Sequence, residues 1–88
     1  MIYSVEYSDD AKKDLKKMDK HQAQIILAWI EKNLIGCENP RLHGKTLRHD
    51  ESGAWRYRVG TYRLIADIQD SVVSIEIVNV GYRKEVYD

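Results

Sequence analysis

Residues 54–80, AWRYRVGTYRLIADIQDSVVSIEIVNV, decide the fold of this chain. Apolar and polar residues alternate here, which is the pattern of strands that bury one face. The alternation divides the stretch into three predicted strands, at about 54–59, 62–69 and 72–80. Gly60-Thr61 suits a two-residue hairpin turn, and Asp70-Ser71 marks the second reversal of the chain. The stretch therefore predicts an antiparallel meander.

The register of the first hairpin follows from its short turn. A two-residue loop at 60–61 places Val59 opposite Tyr62 and Arg58 opposite Arg63. One face of the meander then becomes an apolar core face that carries Trp55, Tyr57, Val59, Tyr62, Leu64, Ala66, Ile68, Val73, Ile75 and Ile77. The other face carries Arg56, Arg58, Arg63, Ile65 and Asp67, beside Ser74, Glu76 and Val78.

The first part of the chain predicts a strand and two helices. Residues 2–7 alternate as a short strand, and Ser8 is an N-cap for an amphipathic helix over 9–18. Asp19 caps a second helix, which runs to about Ile35 and is closed by Gly36.

The two helices form a hairpin that covers the core face of the meander. Residues 37–53 are predicted as a long loop with little regular structure, and long loops in compact domains are often functional. The fold class is thus α+β: an N-terminal strand and a helical hairpin packed on an antiparallel β-meander, in a single domain that spans residues 1–88.

Composition narrows the class of protein. The chain has 88 residues, 43% hydrophobic and 32% charged, which is typical of a globular domain. A single cysteine, Cys37, excludes an internal disulfide and favours a reducing, cytoplasmic location. The first residues, MIYSVEYSDD, lack the pattern expected of a signal peptide, and no apolar run is long enough to predict a membrane span. Basic and acidic residues balance at 14 each, so any nucleic-acid-binding patch must be local.

Three arginines on one sheet face point to an anionic ligand. Like charges directly opposite each other on neighbouring strands are destabilising, and folding alone gives no reason to place Arg58 across from Arg63. A bound anion would remove this conflict, because guanidinium groups bind phosphate oxygens with two parallel hydrogen bonds. The alternative is that the side chains extend into water and are balanced by Asp67 or Glu76.

The chain resembles the RelE/ParE toxin superfamily, in particular its RelE-like branch. The resemblance is carried by an ordered set of segments: KTLR at 45–48, WRYRV at 55–59, TYRLI at 61–65 and VGYRKEVY at 80–87. It implies the toxin of a type II toxin–antitoxin system, neutralised by a RelB-like antitoxin encoded in the adjacent gene. It also implies a metal-independent endoribonuclease without cofactor that cleaves mRNA in the ribosomal A site, through attack of a ribose 2′-OH on the adjacent phosphate.

The resemblance also assigns roles to individual residues. The catalytic set that it implies consists of Arg56, Arg58, Arg63, Arg83 and the base-stacking Tyr87. Further RNA-binding residues are expected at Lys45, Arg48 and Lys84. The segment between Arg83 and Tyr87 is shorter than in RelE.

The general base is left open by the sequence. RelE has lysines where this chain has Arg56 and Arg58, and an arginine remains protonated, so it is a poor base. Glu85, His43 and His49 are the candidates to replace it, since carboxylate and imidazole groups transfer protons near neutral pH. Alignment by the ribosome could also supply most of the catalysis.

Two other functions stay open. One is a ParE-like inhibitor of DNA gyrase with the same fold, and the other is a non-catalytic relic that only binds its antitoxin. The basic set together with Tyr87 favours RNA cleavage, because function follows the site rather than the fold. The three histidines and Cys37 have no spacing typical of a metal site, and no nearby base points to Cys37 as a nucleophile.

Overall fold

The structure is a computed structural model that describes residues 1–46 and 54–82. In chain order its elements are β1 (Ser4–Tyr7), α1 (Asp9–Lys17), α2 (Lys20–Asn33), β2 (Lys45–Thr46), β3 (Ala54–Val59), β4 (Tyr62–Gln69) and β5 (Ser74–Tyr82). The two helices pack on a sheet whose last three strands form the meander. This is the fold class that the sequence predicts. None of the helices in the described ranges is long and apolar enough to cross a bilayer.

Side-chain caps fix where both helices begin. The Ser8 Oγ atom accepts a hydrogen bond from the backbone N–H of Ala11 at 3.0 Å. The Asp19 carboxylate accepts from the N–H groups of His21 and Gln22 at 3.1 and 3.3 Å. These bonds satisfy backbone donors that have no partner inside a helix. Both predicted N-caps are therefore confirmed, although α2 ends at Asn33 rather than near residue 35.

The described strands form one mixed sheet in the order β1-β5-β4-β3-β2. Strands β3, β4 and β5 are the predicted antiparallel meander, and the turn at Gly60 has the positive φ of 62° that favours glycine. Strand β1 begins at Ser4 rather than at residue 2 and pairs in parallel with β5.

Two boundaries in the second half of the chain differ from the prediction. The segment 37–53 is not wholly irregular, because Lys45–Thr46 pairs with β3 as an edge strand. Strand β5 begins at Ser74 rather than at residue 72, since Asp70–Val72 forms a 3-10 turn. Val73, predicted on the core face of the strand, instead ends this turn with a left-handed φ of 52°.

The core lies between the predicted apolar face of the sheet and the helices. Tyr57, Leu64, Ala66, Ile75 and Ile77 are fully buried from the sheet side. The helices contribute buried side chains from one stripe each, at Ala11, Ile26, Ile30 and Leu34. Burial of these apolar groups is the main favourable term in folding. Because α1 and α2 both pack on the core face, neither helix covers the opposite face of the sheet, which is called here the outer face.

Candidate functional site

Four basic residues share the outer face at the end nearest the β3–β4 turn, and they are called here the basic cluster. Arg58 lies directly opposite Arg63, as the sequence predicts, and Lys45 lies directly opposite Arg56. Cross-strand partners point to the same side of a sheet, so these side chains lie on one face. Strand β2, which the sequence analysis missed, is what brings Lys45 beside Arg56.

Acidic residues occupy the other half of the outer face. Glu76 of β5 is the register partner of both Asp67 on β4 and Glu6 on β1. The three carboxylates therefore form a row across neighbouring strands. The chain has no net charge, but the outer face is polarised, with cations at the turn end and carboxylates at the far end. A local positive field of this kind attracts polyanions without a basic isoelectric point.

The members of the basic cluster differ in exposure. Arg58 and Lys45 are exposed, whereas Arg56 and Arg63 have exposed fractions of only 7% and 2%. Burial of a guanidinium is costly unless it has partners, and all three arginines take part in further interactions with other groups of the chain. Arg56 and Arg63 are therefore enclosed by other parts of the chain, while Arg58 and Lys45 present charge to the solvent.

Two aromatic residues of β3 fix the loop that carries His43. The Trp55 Nε1–H group donates a hydrogen bond to the backbone oxygen of His43 at 2.7 Å. The buried Tyr57 hydroxyl donates to the backbone oxygen of Pro40 at 2.6 Å. Both donors belong to β3, which lies inside the sheet between β4 and β2. Their hydrogen bonds therefore hold the loop against the sheet. This arrangement places His43 and Lys45 beside the arginines.

A surface pocket of about 360 Å³ lies next to the basic cluster. Its lining residues are Trp29, His43, Gly44, Lys45, Arg56 and Arg58. The Trp29 and His43 rings pack edge to face, with centroids 5.9 Å apart. The pocket combines an aromatic wall, an imidazole and three cationic side chains. Such a surface suits a nucleotide, which offers an aromatic base and an anionic phosphate.

Gly44 is required by the close approach of the loop to β3. Its φ is +79°, and a Cβ at this position would overlap the backbone oxygen of Arg56 and lie 2.8 Å from Trp55 Nε1. A side chain would therefore push the loop away from the strand. Sequence reasoning did not single out Gly44, because the tight contact arises only from pairing of β2 with β3.

A second polar cluster ties the same loop to the opposite end of the sheet. The Arg41 guanidinium donates two hydrogen bonds to Asp70, at 3.1 and 2.9 Å, and the Tyr3 hydroxyl donates a third at 2.6 Å. The hydrogen bonds from Arg41 and then Tyr3 lower the pKa of the Asp70 carboxyl, while the bond to Asp70 raises the pKa of the Tyr3 hydroxyl. Arg41 also lies over the Trp55 ring, 6.0 Å from its centroid.

The structure brings part of the predicted site together. Arg56, Arg58, Arg63, Lys45 and His43 meet at the basic cluster and its pocket. The remaining residues assigned to the site lie outside the described residues: Arg48, His49, Arg83, Lys84, Glu85 and Tyr87.

The Cys37 thiol and the Tyr57 hydroxyl lie in partly or fully buried positions that give them structural rather than catalytic surroundings. Burial raises the pKa of the Cys37 thiol, so it is protonated at neutral pH. Burial likewise raises the pKa of the Tyr57 hydroxyl, which donates to Pro40. Within residues 1–46 and 54–82, no group of three His, Cys, Asp or Glu side chains is placed to hold a metal ion.

Comparison with known proteins identifies the class. A family model described as the ParE toxin of type II toxin–antitoxin systems, parDE, matches residues 5–87. The chain belongs to this family, within the RelE/ParE superfamily, and is a toxin of the type II toxin–antitoxin class.

Individual relatives agree with this assignment. The chain is 33% identical over 89 residues to toxin RelG of Mycobacterium tuberculosis, a match that covers 99% of this chain and 98% of that protein. It superposes on the toxin–antitoxin complex RelBE2 of the same organism with a TM-score of 0.82 and 28% identity, over 97% of this chain and 95% of that chain. The isolated RelE toxin of Escherichia coli shares the fold, with a TM-score of 0.72 at 21% identity over 91% and 83% of the two chains.

Proposed function

We propose that this toxin is an endoribonuclease that cleaves mRNA in the ribosomal A site and so stops translation. The observation that carries the proposal is the basic cluster: a chain without net charge places Lys45, Arg56, Arg58 and Arg63 together on one end of the outer face. Like charges directly opposite each other on neighbouring strands repel, and an anion bound at the exposed Arg58 and Lys45 would reduce this repulsion. An RNA phosphate is such an anion.

The chemistry follows from the fixed cations. The ribose 2′-OH loses its proton to a base and attacks the adjacent phosphorus atom, and the bond to the 5′ oxygen of the next nucleotide breaks. That oxygen takes up a proton from solvent and leaves as a 5′-hydroxyl, and a 2′,3′-cyclic phosphate remains. Negative charge builds up on the phosphoryl oxygens during this step. Donors that are already in place stabilise such charge at little cost in reorganisation. The exposed Arg58 and Lys45 are proposed to bind these oxygens, and the buried Arg63, directly opposite Arg58, adds positive charge beneath them.

Proton transfer requires a different group. His43 lines the pocket beside Lys45 and Arg56, and we propose it as the general base that accepts the 2′-OH proton. Glu85 stays an alternative for this role. The resemblance assigns Arg83 to phosphate binding, Tyr87 to base stacking, and Arg48 and Lys84 to RNA binding, and these assignments are part of the proposal.

The proposal includes a protein partner and a location. The solved relatives include toxin–antitoxin complexes, among them RelBE2 of M. tuberculosis and the RelBE complex of E. coli. A RelB-like antitoxin, encoded in the adjacent gene, is expected to bind this chain and neutralise it. Action on ribosomes requires a cytoplasmic location.

A second candidate function is inhibition of DNA gyrase. It is favoured by one observation, the match of residues 5–87 to a family model described as ParE toxin. Two assays distinguish the two functions: purified toxin is added to a cell-free translation reaction, whose message is mapped by primer extension, and to a gyrase supercoiling reaction. Cuts confined to A-site codons support the ribonuclease. An intact message combined with loss of supercoiling in a gyrase assay supports the alternative, and no effect in either assay indicates a non-catalytic relic.

A further inference from the structure

A β-bulge turns one side chain of β5 to the outer face. The register pairs Ile65 with Asn79 and Ala66 with Ile77, so Val78 is an extra residue in β5. Strict alternation after Ile77 would direct Asn79 towards the helices. The extra residue resets the alternation, which sends Val80 into the core and Asn79 to the outer face.

Two side chains of the α1 segment hold this bulge in place. The Ser8 hydroxyl donates a hydrogen bond to the backbone oxygen of Val78 at 2.6 Å. The Asp14 Oδ2 atom accepts one from the backbone N–H of Val80 at 2.9 Å. Strand β1 stops pairing at Ile77, so these side chains replace the backbone partners that β5 loses there. The orientation of Asn79 is therefore fixed by the fold.

Asn79 lies next to the basic cluster. Its register partner is Ile65, which on its other side pairs with Arg56. Arg63 is two residues from Ile65 on the same strand and face, so Asn79 and Arg63 are diagonal neighbours, about 7–8 Å apart. The Asn79 side chain is half-buried, and its carboxamide makes no hydrogen bond within residues 1–46 and 54–82.

The chemistry of a carboxamide differs from that of the surrounding cations. It carries no charge to neutralise a phosphate, but it offers an adjacent acceptor and donor. This pair matches a base edge, and asparagine pairs with the N6 and N7 atoms of adenine through two hydrogen bonds. Phosphate contacts position a nucleic acid, whereas base contacts give specificity. In single-stranded RNA these base edges are accessible.

We infer that Asn79 contacts the base beside the cleaved phosphate and gives the toxin a preference for adenine at that position. The inference rests on the proposed ribonuclease function. In this proposal the arginines determine how fast any site in the message is cleaved, and Asn79 determines which sites are preferred.

The test compares cleavage profiles of wild type, Asn79→Ala, Asn79→Asp and Gln69→Ala on one message that contains all codons, in a cell-free translation reaction. Gln69 is the matched control, because it is also an amide on the outer face but lies beside Asp67 at the acidic end. Wild type and Gln69→Ala are expected to cut preferentially at adenine. Asn79→Ala is expected to lose about 10-fold of this preference, and Asn79→Asp to shift it towards cytosine, whose N4 donates to a carboxylate.

Each other outcome overturns a defined part of the account. An unchanged base profile in Asn79→Ala, or a wild-type profile without enrichment of adenine, overturns the inference and leaves the ribonuclease in place. A message that wild-type toxin leaves intact overturns the proposed function, and the inference with it. Thermal melting of the four proteins checks the fold, and Asn79→Ala is expected to melt like wild type because the carboxamide has no hydrogen bond within the described residues.

Discussion

Arg58 of β3 lies directly opposite Arg63 of β4, and the first is exposed while the second has an exposed fraction of 2%. One guanidinium is thus enclosed by the chain, and its neighbour is accessible from solvent. The two like charges repel each other across the strands, and an anion bound at the exposed Arg58 would reduce this repulsion. This pairing connects the register of a hairpin, which the sequence specifies, with the proposed reaction.

Inorganic phosphate should stabilise the folded toxin by binding to the exposed side chains of the basic cluster, Arg58 and Lys45. A ligand that binds only the folded state raises the free energy of unfolding with its concentration. We expect a higher melting temperature in phosphate than in chloride at equal ionic strength for wild type and for Lys32→Ala, whose side chain lies on α2. The increase should be smaller in Arg58→Ala and Lys45→Ala. Equal increases in all four proteins would show that phosphate acts on the whole surface and not at the basic cluster.

Gly44→Ala should release the His43 loop from β3. The left-handed φ costs about 1–2 kcal/mol for alanine, and overlap of the new Cβ with Arg56 adds about 1–3 kcal/mol. Gly60→Ala is the matched control, because Gly60 also has positive φ but has open space around it. Urea unfolding should show a larger loss for Gly44→Ala, and RNA cleavage should fall only in that variant. Similar losses for both variants would contradict the close approach.

Tyr57→Phe should also weaken attachment of the His43 loop to β3, because Tyr57 bonds to this loop at Pro40. The change removes the donor to the Pro40 oxygen and leaves a buried acceptor unsatisfied, which costs about 1–3 kcal/mol. Tyr7→Phe serves as the control, since the Tyr7 hydroxyl makes no hydrogen bond in the described part of the chain. Chemical denaturation measures the free energy of unfolding of both variants. A loss for Tyr57→Phe no greater than that for Tyr7→Phe would mean that this hydrogen bond does not hold the loop.

The Arg41–Asp70–Tyr3 cluster should make stability depend on acid pH. The pKa of Asp70 is lowered in the folded state, chiefly by the Arg41 hydrogen bonds. Its contribution is therefore complete above the ordinary carboxyl pKa of about 3.9 and is lost as pH falls through the lower, folded-state value. Asp70→Asn should be less stable than wild type at neutral pH, and the difference should shrink in acid. A difference that stays constant from neutral pH to pH 2 would be inconsistent with this linkage.

The sequence was sufficient to predict the antiparallel meander and the register of its first hairpin. Alternation over 54–69 and the glycine turn at residue 60 place Arg58 opposite Arg63, and the structure confirms this pairing. Local signals also predicted both helix caps, because Ser8 and Asp19 bond to backbone groups only two or three residues away.

Features that depend on contacts between residues far apart in the chain could not be predicted from local sequence patterns. Strand β2 has two residues and no alternation of its own, so only its pairing with β3 defines it. The bulge at Val78 is held by Ser8, which bonds to Val78 from 70 residues away along the chain, and by Asp14, which bonds to Val80 from 66 residues away. As a result, Lys45 was placed in a loop and Asn79 was not considered for the site.

The most direct test of the central claim is cleavage of a translated message by wild type, Arg58→Ala and Lys32→Ala in the same cell-free extract, with the cut ends mapped and characterised. Cuts within A-site codons that end in a 2′,3′-cyclic phosphate are expected. Wild type and Lys32→Ala should cut at equal rates, and Arg58→Ala should cut about 100-fold more slowly. An intact message with wild type, or undiminished cutting by Arg58→Ala, would contradict the assignment of catalysis to the basic cluster.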